Sequence, residues 1–600
     1  MHTTKHLFCT HRTQRFHRRD SRQGMVLILV LVAVAMLSLA AFTFSDLMST
    51  EHRAAVASLR RVQARTFADS GMDFVQQFIA QEPSVIQQLG GVYNNPGRFQ
   101  SVLVLDSNLP RDRGRFSIVS ANIENGQLQG TRYGVEDDSA RINLNVILAL
   151  DASKPGTGRD LLMKLPAMTE SIADAILDWM DDDDEPREFG AESNSYSGQG
   201  YSCKNGPLDT LEELLLVEGV TADLLFGADL NRNGTIDASE EGYPRLSGTA
   251  GAEPEADRGW AAYLTLYSKE RNVRPDGTRR IDLNGADLQV LHDELQAVLD
   301  EDLVKYIIAY RQYGPAPTTS RTGSSSSGSG SSGSGSAGSG QGSAAPGGEE
   351  EEEKLPSGEG PPSEGQPNQG NSGDQGGGAR STTPTRELSS VELDLKKPAK
   401  TNIANILDLV GSKVQVTEGR GASDGAAGGG GSRGGQNQQN GYIVLSPITE
   451  EPGAFAQLLP DLLDNVTVNK ALAIPGRINI NQASPIVLRA IPGMTEEMVE
   501  RILASRETEP TGQMPTHRHE HWLLYEDIVT LAEMKKMVPY ICASGAVHRA
   551  QVVGYFDDEG PSARIEVVVD ASSGVSRIVF WRDISNLGRG YSLETLGAVR

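Results

Sequence analysis

The sequence predicts an α+β fold. One long N-terminal helix is membrane-spanning at first and amphipathic afterwards, beside a small antiparallel sheet and inserted helical domains joined by disordered linkers. Three observations predict this. Residues Met25 to Phe44 carry no charge and follow a basic leader. Strand-like runs bounded by turn signals lie near both ends of the chain. Between them a short template recurs, each time ahead of a segment with helical periodicity.

The leader comprises residues 1–24. Lys5, Arg12, Arg15, Arg18, Arg19 and Arg22 oppose one acid, Asp20, so this end stays cytoplasmic and the bulk of the chain lies across the membrane. Residues 25–44, at about 1.5 Å each, cross the roughly 30 Å hydrocarbon core. No proline interrupts Ser45 to Glu82, and Leu59, Val62, Phe67, Phe74 and Phe78 keep helical spacing, so one helix runs on beyond the membrane. Residues 45–139 hold this continuation and the first strands. FSIVSANI and LQGTRYGVE flank Glu124-Asn125-Gly126-Gln127, where Asn-Gly favours a hairpin turn.

Residues 140–313 are predicted to form a helical domain. Residues 314–386, with Ser/Gly repeats and the Glu349–Glu353 run, cannot bury enough apolar surface to offset their ordering entropy, which predicts a disordered linker. A short folded segment, 387–418, precedes a second, glycine-rich flexible linker, 419–440. A helical hairpin-repeat region follows over 441–545. The last residues, 546–600, hold three strands at about Arg549–Phe556, Ala563–Asp570 and Ser576–Asp583.

The formal charge of −24 predicts a surface that repels nucleic acid and attracts divalent cations. Of the three cysteines, Cys9 lies in the leader. Cys203 in a polar loop and Cys542 in an apolar segment do not make a disulfide framework, and whether they pair stays open.

The recurring template is Arg141-Ile142-Asn143-Leu144-Asn145, then Arg280-Ile281-Asp282-Leu283-Asn284, then Arg477-Ile478-Asn479-Ile480-Asn481. The first and third copies share a further turn, Leu165-Pro166-Ala167-Met168-Thr169 and Ile491-Pro492-Gly493-Met494-Thr495, with Thr169 and Thr495 as expected N-caps. This pattern resembles a helix-hairpin-helix, which can hold a DNA phosphate at a helix start. Here Glu170, Glu496 and Glu497 occupy the first turns. They suit the helix dipole but repel a phosphate, so the hairpins are expected to be packing modules.

The sharpest local motif is Asp229-Leu230-Asn231-Arg232-Asn233-Gly234-Thr235-Ile236-Asp237-Ala238-Ser239-Glu240. It matches an EF-hand-type calcium loop, with oxygens from Asp229, Asn231, Asn233, Asp237 and Glu240, the Thr235 carbonyl, and Gly234 at the sharp turn. Three carboxylates outside the cytoplasm predict weak affinity, on the order of 10⁻⁴ to 10⁻³ M. Upstream, the Asp181–Glu185 run is either a solvated acidic helix end or, with Glu192, a second calcium site through Asp181, Asp183 and Glu192. His517, His519 and His521 would share one face of a strand. A zinc site there is weighed against an exposed loop, which is the expected reading. No HExxH, GxxxxGK[ST] or CxxC pattern is present, and nothing in the sequence argues for an enzyme.

Two readings of the N-terminus compete. A secretory signal peptide would be cut near Ser38-Leu39-Ala40. The glycine at the boundary and the length of the apolar run instead look like a type IV prepilin leader, cut after Gly24 to leave Met25 as the new N-terminus. Most pilins carry Glu at the fifth mature position, where this chain has Leu29. That departure, with INLN, ADAILDWMDDDDEPREFGAE, NGPLDTLEELLLVEGVT and LLFGADLNRNG, resembles protein K of the type II secretion system. The likeness covers Gly24 to about Gly242 and returns more loosely from Ile478 to Tyr591. The resemblance implies a pilin-like α/β fold with an inserted, calcium-binding helical domain. It also implies a non-enzymatic minor pseudopilin that helps initiate and cap the periplasmic pseudopilus. The implied partners are the other minor pseudopilins, the major pseudopilin, the inner-membrane secretion platform, prepilin peptidase and membrane lipid, with no nucleic acid. The alternatives are a minor pilin of a type IV pilus or DNA-uptake system and a membrane-tethered nucleic-acid-binding hairpin protein.

Overall fold

The computed structural model describes residues 22–124, 127–243, 257–317, 384–417, 441–506 and 515–598. Helix α1 (Arg22–Ile79) is continuous over 58 residues, about 87 Å. Among the described residues it is the one helix long and apolar enough to cross a membrane. Its first half is bare, with Leu29, Leu37 and Phe42 exposed. Its second half buries Ala64, Phe67, Ala68, Val75 and Phe78. Leu59 and Val62, expected on the packed face, are exposed, because the sheet begins to cover the helix only from Ala64 onward.

Strands β1 (Val102–Leu105), β2 (Gly114–Glu124), β3 (Gln127–Arg132) and β4 (Glu136–Asp137) follow. β2 pairs antiparallel with both β1 and β3, and the turn residues Asn125 and Gly126 lie outside the described residues. The chain then leaves the sheet for a large helical body with a continuous apolar core reaching from Ile142 to Ile541.

The template organises that body. Its first copy supplies β5 (Ile142–Asn143), which pairs in parallel with β6 (Leu264–Thr265). After β7 (Lys269–Arg271), the second copy supplies β8 (Ile281–Asp282). A small ribbon, β9 (Lys413–Thr417) and β10 (Gly441–Leu445), pairs antiparallel, and β11 (Val466–Thr467) joins β8 in parallel. β12 (Ala473–Pro475) pairs with β7. The third copy supplies β13 (Ile478–Asn479), parallel to β14 (Ile541–Cys542). Each copy is therefore the opening strand of a two-residue parallel ladder that closes one helical module.

The polar positions of the template explain its recurrence. The side chains of Asn143, Asp282 and Asn479 accept from the backbone N–H two residues on, at 3.1, 2.9 and 2.9 Å. The next asparagine reaches across its module. Asn145 exchanges both amide hydrogen bonds with the Leu208 backbone at 3.0 and 2.9 Å. Asn284 does the same with Ile403 at 2.9 and 2.8 Å. Asn481 donates to the His517 and Ala543 carbonyls and accepts from Trp522 Nε1, at 3.0, 2.9 and 3.0 Å. Thr169 and Thr495 cap their helices as expected, accepting from Ile172 N and Met498 N at 3.3 Å each.

The chain returns to the first sheet through β15 (Val547–Phe556), β16 (Ala563–Asp570) and β17 (Arg577–Asp583). β15 pairs antiparallel with β2, with Val552 opposite Ile118. The path is β1-β2-β15-β16-β17, with β4 also on β15. The C-terminal strands thus complete the N-terminal sheet, and the helical body is an insertion within it. α1 lies close on this sheet. A Cβ on Gly554 would stand 2.2 Å from the Ala64 carbonyl oxygen, and one on Gly71 would stand 2.4 Å from Val552 Cγ1. Phe67 meets Phe556 edge to face at 5.3 Å.

The linker expected over 314–386 is narrower at both ends. Ala316 N donates to the Lys413 carbonyl at 2.6 Å and Arg386 N to the Ile443 carbonyl at 2.9 Å, because these ends extend the β9–β10 ribbon. Most of that segment, all of the linker 419–440 and nearly all of the leader 1–24 lie outside the described residues.

Candidate metal centre

The calcium-like loop follows a short helix, Ala222–Phe226, capped by Thr221, which accepts from Leu224 N at 3.3 Å. Two left-handed residues, Arg232 (φ 55°) and Gly234 (φ 82°), curl the chain so that alternating side chains turn inward. Asp229 accepts from Asn233 N at 3.0 Å and Gly234 N at 2.8 Å. Asn233 Oδ1 accepts from the Thr235 N–H and hydroxyl, each at 2.7 Å. Asp237 Oδ2 accepts from the amides of Asn231 and Asn233 at 2.7 and 3.0 Å. Glu240 closes the ring on Asn231 N at 2.9 Å and Asp237 N at 3.0 Å. The expected residues Asp229, Asn231, Asn233, Thr235, Asp237 and Glu240 therefore come together.

Asp229, Asn233 and Glu240 are buried. Burial pushes the Asp229 carboxyl up to about 6, against backbone hydrogen bonds and Arg258, which lower it. A desolvated, all-oxygen donor set with three carboxylates suits a hard divalent cation such as calcium. Bound there, the cation would supply charge neutralisation that holds the loop closed.

The loop is seated on the sheet. Asn233 Nδ2 donates to the Gly590 carbonyl at 2.7 Å, and the Tyr591 hydroxyl reaches the Asn233 carbonyl at 3.0 Å. Gln551 on β15 donates to the Arg232 carbonyl at 2.5 Å, and Arg564 on β16 donates to the Asn231 carbonyl. An ion-pair chain runs alongside. Arg232 pairs with Glu212 at 2.9 Å, Glu212 also holds Arg582, and Glu566 joins Arg582 and Arg549 at 2.7 Å each. Arg549 ends the chain on buried Asp138 at 2.9 Å. Tyr591, Gln551 and Arg564 were not legible as site residues, since they sit hundreds of positions from the loop.

A second carboxylate group forms from Asp178, Asp181 and Glu192, each offering an oxygen within 4.8 Å of the others. Asp183, expected in this set, is elsewhere. Its side chain accepts from Glu185 N at 2.9 Å, because the helix Glu170–Met180 has ended and the chain turns there. Asp178, one helical turn before Asp181, takes its place, a spacing the sequence carried. Arg187 already answers part of this charge, pairing with Asp178 at 2.6 Å and also with Asp181. Neither oxygen of Glu192 has a hydrogen-bond partner among the described residues. Burial first, then Asp178 and Asp181, push its carboxyl up to about 7.

Residues 140–226, from the first template copy to the end of the short helix before the loop, match the sequence model of the family described as type II secretion system (T2SS), protein K. That segment is similar to protein K of the type II secretion system. No curated protein matches the chain. The matched segment includes the first template, the Thr169 hairpin and the Asp178–Asp181–Glu192 group, and the calcium-like loop begins just past its end.

Beyond the matched segment, the histidines depart from the exposed loop expected of them. His517 and His521 are buried, in a 3₁₀ turn and at the start of the helix Trp522–Tyr525. They do not converge on one centre. His517 pairs with Glu526 at 2.9 Å and His519 with Asp464 at 3.0 Å, and the His517 ring lies 4.3 Å from Trp522. His517 is covered within its own module, while His519 reaches Asp464 of the preceding one. Cys203, inside the matched segment, and Cys542 are both free and buried. Burial pushes the Cys203 thiol up to about 12.

Proposed function

We propose that the chain is a minor pseudopilin of a type II protein secretion system, a structural and non-enzymatic subunit that helps initiate and cap the periplasmic pseudopilus. The observation that carries this reading is α1 in company with the segment similar to protein K. The apolar half of α1 stands bare, while its other half is clamped to a sheet that holds that segment as an insertion. A bare half suits the bilayer before assembly and the packed helices of a filament afterwards. Gly24 is the processing residue and Met25 the mature N-terminus. The protein sits in the inner membrane as a single-pass protein with its bulk in the periplasm.

On this reading the partners are the other minor pseudopilins, the major pseudopilin, the inner-membrane platform, prepilin peptidase and lipid. Calcium in the Asp229–Glu240 loop fixes the helical body on the sheet, and a second ion joins Asp178, Asp181 and Glu192. Glu170, Glu496 and Glu497 at the hairpin helix starts disfavour a nucleic-acid role. The test is secretion. Cells lacking this chain should retain secretion substrates in the periplasm, with export restored by the wild-type chain and not by Gly24→Val. Undiminished export without the chain contradicts the proposal.

A further inference from the structure

The guanidinium of Arg564 sits beneath the calcium-like loop, 0% exposed. Its Nη2 donates to the Asn231 carbonyl, and among the described residues its Nε and Nη1 find no hydrogen-bond partner. The backbone makes room for it. Gly590 adopts φ 74°, and a Cβ there would strike Arg564 Nη1. A desolvated guanidinium is costly unless a negative charge answers it. Burial lowers the Arg564 guanidinium, and Asp229 and Glu566 are the carboxylates that work against it. Glu566 is already shared between Arg549 and Arg582, at 2.7 Å each. Asp229 belongs to the loop.

A second guanidinium flanks the same loop. Arg258 is buried, its Nη2 lies 3.6 Å from where a Cβ on Gly234 would stand, and it lowers the Asp229 carboxyl against the burial that raises it. The loop's own Arg232 is spent elsewhere, 2.9 Å from Glu212 and with its guanidinium 3.7 Å from the Phe226 ring. The carboxylates of Asp229, Asp237 and Glu240 therefore meet two fixed positive charges. One net negative charge remains where a divalent ion needs two.

We propose that Arg564 and Arg258 are counter-ions built into the loop, which hold it closed without metal and keep its calcium affinity low. This rests on the calcium reading of the loop. A bound ion would lie beside charges of its own sign. Repulsion between a unit and a double charge about 10 Å apart inside a protein amounts to well over tenfold in an equilibrium constant. One hydrogen bond to a carbonyl returns about fivefold. The charge of Arg564 thus outweighs its contact with Asn231.

The test is isothermal titration of the full chain in detergent with calcium chloride, beside thermal melts in chelator. Every sample carries Asp181→Asn, which silences the Asp178–Asp181–Glu192 group. Arg564→Met keeps the length of the side chain without its charge. It should bind calcium about tenfold more tightly than the parent and melt lower in chelator. Arg564→Lys, which keeps the charge, should shift the affinity far less. Removing a residue that merely seats the loop would weaken calcium binding, so equal or weaker binding by Arg564→Met overturns the proposal. If that variant fails to fold, Arg258→Met decides in the same way, with tighter binding expected and equal or weaker binding contradictory. A parent that binds calcium with no gain in either variant overturns this proposal alone. Parent and variants that all bind none would overturn the calcium reading of the loop, and this proposal with it.

Discussion

The Tyr591 hydroxyl shares its proton between Gln551 Oε1 on β15 and the Asn233 carbonyl, 358 positions away in sequence, 3.0 Å from each, and so joins the calcium-like loop to β15. Tyr591 is buried, so neither acceptor finds water easily once the hydroxyl is gone. Tyr591→Phe should lower stability by about 1–3 kcal/mol, measured by denaturant unfolding of the full chain in detergent. It should also shrink any calcium-dependent gain, because loop and sheet share this contact. An unchanged midpoint would mean that the loop's seat contributes nothing.

Calcium that binds only the folded form raises stability by about 2.7 kcal/mol at a hundredfold excess over Kd. The chain should therefore melt higher in calcium than in chelator, and Glu240→Gln should reduce the difference. Asp229→Ala with Glu240→Ala should remove the share owed to the loop, leaving at most what Asp178, Asp181 and Glu192 hold. A double variant with the full wild-type shift and stoichiometry would make the loop a turn and nothing more.

The shared hairpin turn offers a test of the repeat. Gly493 adopts φ 90° and its counterpart Ala167 adopts φ 54°, a left-handed conformation that costs an L-residue about 1–2 kcal/mol. Ala167→Gly should stabilise the chain by about 1 kcal/mol, and Gly493→Ala should destabilise it by a similar amount. A Cβ at Gly493 would meet only Met537 Cγ, at 4.0 Å, so the effect there is conformational rather than a clash. Equal destabilisation by both substitutions would contradict the equivalence of the turns.

The sequence revealed α1, the hairpin, the three C-terminal strands and the gathering of Asp229 to Glu240 in one curled loop because each rests on local periodicity or on one contiguous motif. It also showed the template, but not what each copy pairs with, since Leu264, Val466 and Ile541 carry no matching signature. The union of β2 with β15 was hidden for the same reason, as pairing across an inserted body leaves no local trace. Asp183 belongs to the acidic run that the sequence displays, whereas the end of the helix decides that Asp178 and Asp181 face Glu192. The alternating histidines suggested an exposed loop because the residues that bury them, among them Trp522 and Asp464, act through tertiary packing.

The ion-pair chain beside the loop predicts an acid-side loss of stability. Burial alone would raise the Glu566 carboxyl, but Arg549 and then Arg582 outweigh it and hold it at about 2. A folded-state value below the unfolded one means that Glu566 stabilises the protein above its ordinary value of 4.5. That contribution is lost as pH falls from there toward 2. Glu566→Gln should destabilise the chain by about 3–5 kcal/mol near neutral pH, because Arg549 is left partly unanswered in a buried site. The same variant should flatten the stability profile over that acid window. A profile as steep as wild type would place the titrating group elsewhere.

The central claim is that this chain is handled as a pseudopilin, and the mass of its mature N-terminus tests that most directly. Protein purified from cells with active prepilin peptidase should begin at Met25. Cells lacking that peptidase, or carrying Gly24→Val, should yield the uncut precursor. A mature chain that begins at Ala41 in all three backgrounds would mark an ordinary signal peptide and contradict the account.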